Sequence, residues 1–130
     1  ASELEDLLEE ELLKSARYVN PDPNPEKGYF YRSDHISLAK KGVPMLYADG
    51  GFDLVEGGKA AGYALEETYR LDAYHGVADE YSPDWDLEGL NQSIDVIFSI
   101  SADLANSEVW PNWYEGNEFK ATRDASRVNK

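Results

Sequence analysis

The sequence predicts an α/β fold rich in helix, with about four helices and one or two short strands. Two long stretches repeat apolar residues at helical spacing. A short apolar run, residues 43–48, reads as a buried strand, and clusters of proline and glycine separate these elements.

The first helix is expected from residue 3 to about residue 17, with Leu4, Leu7, Leu8, Leu12 and Ala16 in one stripe. Ser2 with Glu5 has the pattern of a capping box, acids crowd the start, and Lys14 and Arg17 lie at the end, as the helix dipole prefers. Pro21, Pro23 and Pro25 stop this helix and make residues 20–28 a loop. Ser33 or Asp34 is placed to cap a short helix running to Lys41, where Gly42 ends it. Residues 43–48 follow as the strand, with Pro44 near its start, where a strand accepts proline. The turn at residues 49–53 then lies at the strand's C-terminal end, the edge where ligands collect in open α/β sheets.

Gly57 and Gly58 open a weaker helix to about Thr68, interrupted by Gly62. A loop around His75 precedes the second firm helix, about residues 87–106. Asp86 is its expected cap, and Leu90, Ile94, Ile97, Phe98, Ser101, Leu104 and Ala105 form one face. Trp110-Pro111-Asn112-Trp113 is a turn with aromatic anchors. From Gly116 onward no element is predicted, and residues 116–130 read as a tail that frays. A single strand leaves its own backbone unsatisfied. A second strand is therefore expected in residues 29–31 or 69–73, or in sequence outside these 130 residues.

Length fits one domain, or a fragment of one. The net charge of −14, from 26 acids against 12 bases, repels phosphate backbones and anionic lipid, so neither nucleic acid nor membrane is an expected partner. No apolar run approaches the roughly 20 residues needed to cross a bilayer. The first residues also lack the basic start and apolar run of a signal peptide. With no cysteine, any metal must use imidazole and carboxylate, which suits zinc or harder divalent ions.

Both histidines sit in dense polar clusters. His75 follows Tyr74 and precedes Asp79 and Glu80. A ligating histidine usually gives its second ring N–H to a carboxylate, which makes Asp79 and Glu80 candidates for that support. The competing reading is a surface or capping histidine. Asp34 and His35, after Arg32 and Ser33, are candidates for acid–base or substrate-binding work. Alternatively Asp34 caps the next helix and His35 covers its first turn. Other signals fail: Gly57-Gly58-Lys59-Ala60 lacks the rest of a phosphate loop, and neither H-E-x-x-H nor G-x-S-x-G occurs.

Three stretches in order carry a resemblance. They are residues 26–35, ending in Ser33-Asp34-His35; residues 39–47, with Ala39-Lys40-Lys41-Gly42-Val43-Pro44; and residues 74–80, with Tyr74-His75 and Asp79-Glu80. Together they resemble the C-terminal part of the zinc-dependent M28 peptidases, aminopeptidases with carboxypeptidase relatives. The resemblance implies a segment of a three-layer αβα fold, a site with two zinc ions and a peptide substrate cleaved by zinc-activated water. It implies that His75 is a zinc ligand, that Tyr74 lies on the substrate side, and that Asp34 and His35 line the same pocket. Gly76 departs from the family pattern, where a small polar residue is common.

The family's remaining ligands and its glutamate base lie N-terminal to the Ser-Asp-His segment, and none is in this sequence. The expectation is a C-terminal segment, silent by itself, whose partner is a missing N-terminal catalytic half. A periplasmic or extracellular location goes with the resemblance. The alternative is a non-catalytic binding module on a peptidase-derived scaffold.

Overall fold

The computed structural model describes residues 1–128. Among these residues the regular structure is entirely helical: α1 Leu4–Leu13, α2 Tyr29–Arg32, α3 Ile36–Ala39, α4 Gly58–Asp72, α5 Glu88–Ala105 and α6 Lys120–Arg127, with a 3₁₀ turn at Pro25–Lys27. The expected α/β fold is therefore corrected to an all-α arrangement. Residues 43–48 form no regular element, and no strand pairs with them among the described residues; the pairings present are single bridges, Ser2 with Trp113 and Leu54 with Gly58. Both places proposed for a second strand are helical, since Tyr29 opens α2 and Tyr69 belongs to the last turn of α4. An apolar run becomes a strand only when a neighbour takes up its backbone groups.

The chain divides into two compact units, one comprising Ala1–Ala48 with the residues from Ile94 onward, the other Asp49–Ser93. In the first unit the predicted stripe of α1 turns inward at its leucines, but the helix ends at Leu13, short of the expected residue 17, and Ala16 is exposed outside it. Leu8 and Leu12 are buried with Ile100, and Leu7, Val19, Leu46 and Val96 pack around them. Burying each of these three side chains is worth about 1.5–3 kcal/mol. The capping box does not form: Glu3 occupies the cap position without a side-chain bond. Ser2 is fully buried and its hydroxyl donates instead to the Met45 carbonyl at 3.1 Å. Beyond Leu13 the chain closes with N–H donation from Arg17 to Leu12 O (3.0 Å) and from Ala16 to Leu13 O (3.2 Å), with Ala16 left-handed at φ 56°.

A second cluster in this unit joins Ala39, Trp113 and Phe119, with Phe30, Ile36 and Met45 against it. Gly42 ends the α3 region as the sequence predicts. Its N–H donates to Ala39 O (2.8 Å), that of Val43 to Leu38 O (3.2 Å), and its φ is 84°. The buried Trp113 indole N–H then donates to the Gly42 carbonyl at 3.2 Å. A Cβ at Gly42 would stand 2.6 Å from the backbone nitrogen of Arg123 in α6. α6 itself occupies a stretch for which the sequence predicts no element, and Lys120 pairs there with Asp124 at 3.0 Å. The expected fraying of the last residues falls in part on 129 and 130, outside the described residues.

In the second unit α4 runs beyond the predicted end near Thr68. Gly62, read from sequence as a weak point, is its contact point: a Cβ there would lie 2.0 Å from the Phe52 carbonyl oxygen. Phe52 and Tyr63 stack beside it with ring centroids 5.1 Å apart. In α5 the inward residues of the first unit are Val96 and Ile100, whereas the predicted face is open, with Ile94, Ile97 and Phe98 exposed. No helix among the described residues is long and apolar enough to cross a membrane.

Two outcomes follow from this packing. Gly62→Ala should destabilise α4 by about 1–3 kcal/mol through overpacking, although helix propensity alone favours alanine by about 1 kcal/mol. Amide exchange along α4 should quicken; equal or slower exchange would show that propensity wins. The second outcome concerns Tyr114, whose phenol donates to Asp6 at 2.6 Å. That hydrogen bond, with burial and nearby carboxylates adding to it, pushes the phenol pKa up to about 12 from an ordinary value of about 10. The neutral phenol is the form the fold holds. Its contribution to stability should be complete below about pH 10 and disappear as pH rises through about 12. Denaturant titrations across that window should show the loss in the parent chain and not in Tyr114→Phe.

Candidate functional site

The loop that follows α4 carries His75. At the end of α4 one carbonyl is shared by two donors: the N–H groups of Ala73 and Tyr74 both donate to Tyr69 O at 2.9 Å. The chain then turns sharply, with Gly76 N–H to Ala73 O at 2.7 Å and Asp79 N–H to Gly76 O at 3.2 Å. His75, between them, is left-handed at φ 58°. That conformation costs an L-residue roughly 1–2 kcal/mol, and such residues gather where a side chain must be aimed.

Asp79 is where the sequence reading and the geometry diverge. Its expected partner was the imidazole. Instead Oδ2 accepts from the main-chain N–H of His75 at 3.3 Å, and Oδ1 accepts from the Tyr69 hydroxyl at 2.9 Å. Accepting at the carboxylate favours the neutral phenol and raises the Tyr69 pKa, with burial and charge adding in the same direction. The His75 ring stacks on Tyr74 with centroids 3.9 Å apart and an interplanar angle of 23°, and Tyr74 meets Tyr69 edge-on at 5.8 Å. Glu80 is exposed. Tyr69 was missed as a member of this group, because the helix was expected to stop one residue before it. Continuing the helical register one more turn would have placed its hydroxyl beside the loop.

Asp34 and His35 belong to the first unit and are described apart from the His75 loop. Asp34 is exposed and does not cap α3, whose cap position is His35 with no side-chain bond. The Ser33 hydroxyl donates backward to Tyr29 O at 2.9 Å. The His35 ring is packed between Phe30, edge-on at 4.6 Å, and Tyr47 at 5.1 Å. Its Nε2 is buried with no hydrogen-bond partner among the described residues. In this arrangement the imidazole serves as a packing ring.

A catalytic zinc ion needs about three protein ligands. Among the described residues no three histidine or carboxylate side chains come together to hold a metal ion. His75 alone does not fit a complete zinc site, so no metal-dependent step is derived from this chain. A concavity of about 610 Å³ in the first unit is lined by Glu3, Glu108, Trp110, Asn112, Asp124 and Arg127, with Val128 beside them. None of the predicted site residues lines it.

With one exposed histidine held on a tight loop, the comparison with known families defines the class of protein: a peptidase, a hydrolase of peptide bonds. The model of peptidase family M28 matches residues 1–100, and the chain belongs to that family. The match takes in residues 33–35, residues 43–48 and the whole His75 loop. No curated protein and no solved structure matches the chain.

Proposed function

We propose that this chain is the C-terminal segment of a zinc-dependent M28 peptidase of the aminopeptidase or carboxypeptidase type, and that it supplies one wall of the active site. In this reading His75 is one zinc ligand, Tyr74 lies on the substrate side, Asp34 and His35 contribute to the pocket wall, and Asp79 and Glu80 support the loop. The remaining ligands and the general base come from an N-terminal catalytic half, without which the chain is inactive. The observation that carries the reading is the His75 loop. An exposed imidazole is held in a left-handed backbone conformation where the resemblance implies a zinc ligand, and no group of three candidate ligands forms among the described residues.

Two further features support a chain that continues its packing elsewhere. The apolar run 43–48 has no neighbouring strand among the described residues, and α5 exposes Ile94 and Phe98 on faces turned away from its buried Ile100. A helix apolar on two sides is suited to being covered on two sides. A periplasmic or extracellular location belongs to the same proposal and rests on the family resemblance together with the absence of cysteine.

Calorimetric zinc titration tests this. The 130-residue chain should bind zinc weakly and without defined stoichiometry, and a longer chain restoring the upstream sequence should bind tightly and lose at least tenfold in affinity on His75→Ala. Tight binding at unit stoichiometry by the short chain, abolished by His75→Ala, would mean that these residues form a site by themselves and would reject the proposal.

A further inference from the structure

The geometry points to Asp79 as the positioning residue of the His75 loop: its carboxylate joins the Tyr69 hydroxyl to the main-chain N–H of residue 75 and so holds His75 left-handed, with its ring stacked on Tyr74. This rests on the reading of His75 as the functional side chain, and it names what aims that side chain. A metal-binding histidine is usually steadied through its ring, by a carboxylate that accepts the second N–H. Here the carboxylate acts one step further back, on the backbone from which the ring projects.

The argument is one of donors and reach. Asp79 offers two oxygens, and each is used: Oδ1 by a phenol on the last turn of α4, Oδ2 by the amide at the strained position. The phenol is fixed to a helix, so it sets where the carboxylate stands, and the carboxylate then sets where the amide of residue 75 stands. The residues between are short and already turned, through Gly76 N–H to Ala73 O and Asp79 N–H to Gly76 O. That leaves φ of residue 75 as the free torsion. Left to itself a histidine returns to negative φ, since its Cβ crowds the following carbonyl in the left-handed region. The bond from Asp79 opposes this return. The elevated pKa of Tyr69 is in keeping with it, because the neutral phenol is the form that donates.

The test is made on the metal-free chain by NMR, so it succeeds or fails independently of zinc binding. In the parent chain the HN–Hα coupling of residue 75 should report positive φ, its amide should exchange slowly, and the rings of Tyr74 and His75 should show mutual contacts. In Asp79→Ala the coupling should move toward that of negative φ, and the His75 amide should exchange about tenfold faster, the size of one lost hydrogen bond. Tyr69→Phe and Asp79→Asn, each leaving one arm in place, should give smaller changes of the same sign. Asp79→Ala should also speed exchange of the amides of residues 76 and 79, and adding His75→Gly should restore slow exchange at both, because glycine takes positive φ without the Cβ penalty. A general loss of structure would not be rescued in this way. Unchanged coupling and exchange at His75 in Asp79→Ala, or in Asp79→Asn should the alanine variant not fold, overturns the proposal, as does failure of the glycine rescue.

Discussion

The buried Trp113 is the constraint on which the first unit depends. Its side chain is 1% exposed, and its indole N–H needs a partner, which it finds in the carbonyl of Gly42. That bond needs the chain to leave α3 in a left-handed turn, so the glycine at position 42 and the tryptophan at 113 depend on one another across 71 residues. The main chain around Trp113 also pairs with the segment around Ser2, whose hydroxyl reaches Met45. Ala39 and Phe119 fill the remaining sides of the ring. Three sequence-distant stretches are thus fastened at one indole. The close approach of α6 to Gly42 leaves no space for even a methyl group there.

Elsewhere the chain is held less fully. The cluster around Leu8, Leu12 and Ile100 is small, and many large apolar side chains stay open to solvent, among them Leu65 and Leu71 on α4 and Ile94 and Phe98 on α5. Exposed apolar residues are common singly, but a run along one helix face is the mark of a surface made for contact.

The family was legible from the residues. His75 stood out through its neighbours, and the ordered match of the Ser33-Asp34-His35, Gly42-Val43-Pro44 and Tyr74-His75 stretches pointed to the family to which the chain belongs. Its support was read less well. Asp79 was expected to meet the imidazole, whereas its bonds go to the Tyr69 hydroxyl and to the main chain of residue 75, and Tyr69 was not foreseen. Sequence spacing shows which residues are near a histidine. It does not show whether a carboxylate meets the ring or the amide, because that depends on a torsion near 58° that histidine adopts only under local restraint.

The sequence by itself determined the helices with strong amphipathic periods, the stop at Gly42 and the family. These are local matters: a 3.6-residue period, a positive φ and a short motif each need only neighbouring residues to be expressed. Tertiary structure decided the rest. It left residues 43–48 without regular structure, because strand pairing requires a second segment that the described residues do not provide. It chose Ile100 over Ile94 and Phe98 as the buried side of α5, since α1 offered Leu8 and Leu12 to one side only. It also turned Gly62 from a weak point into a contact, where the backbone of Phe52 comes too close for any side chain.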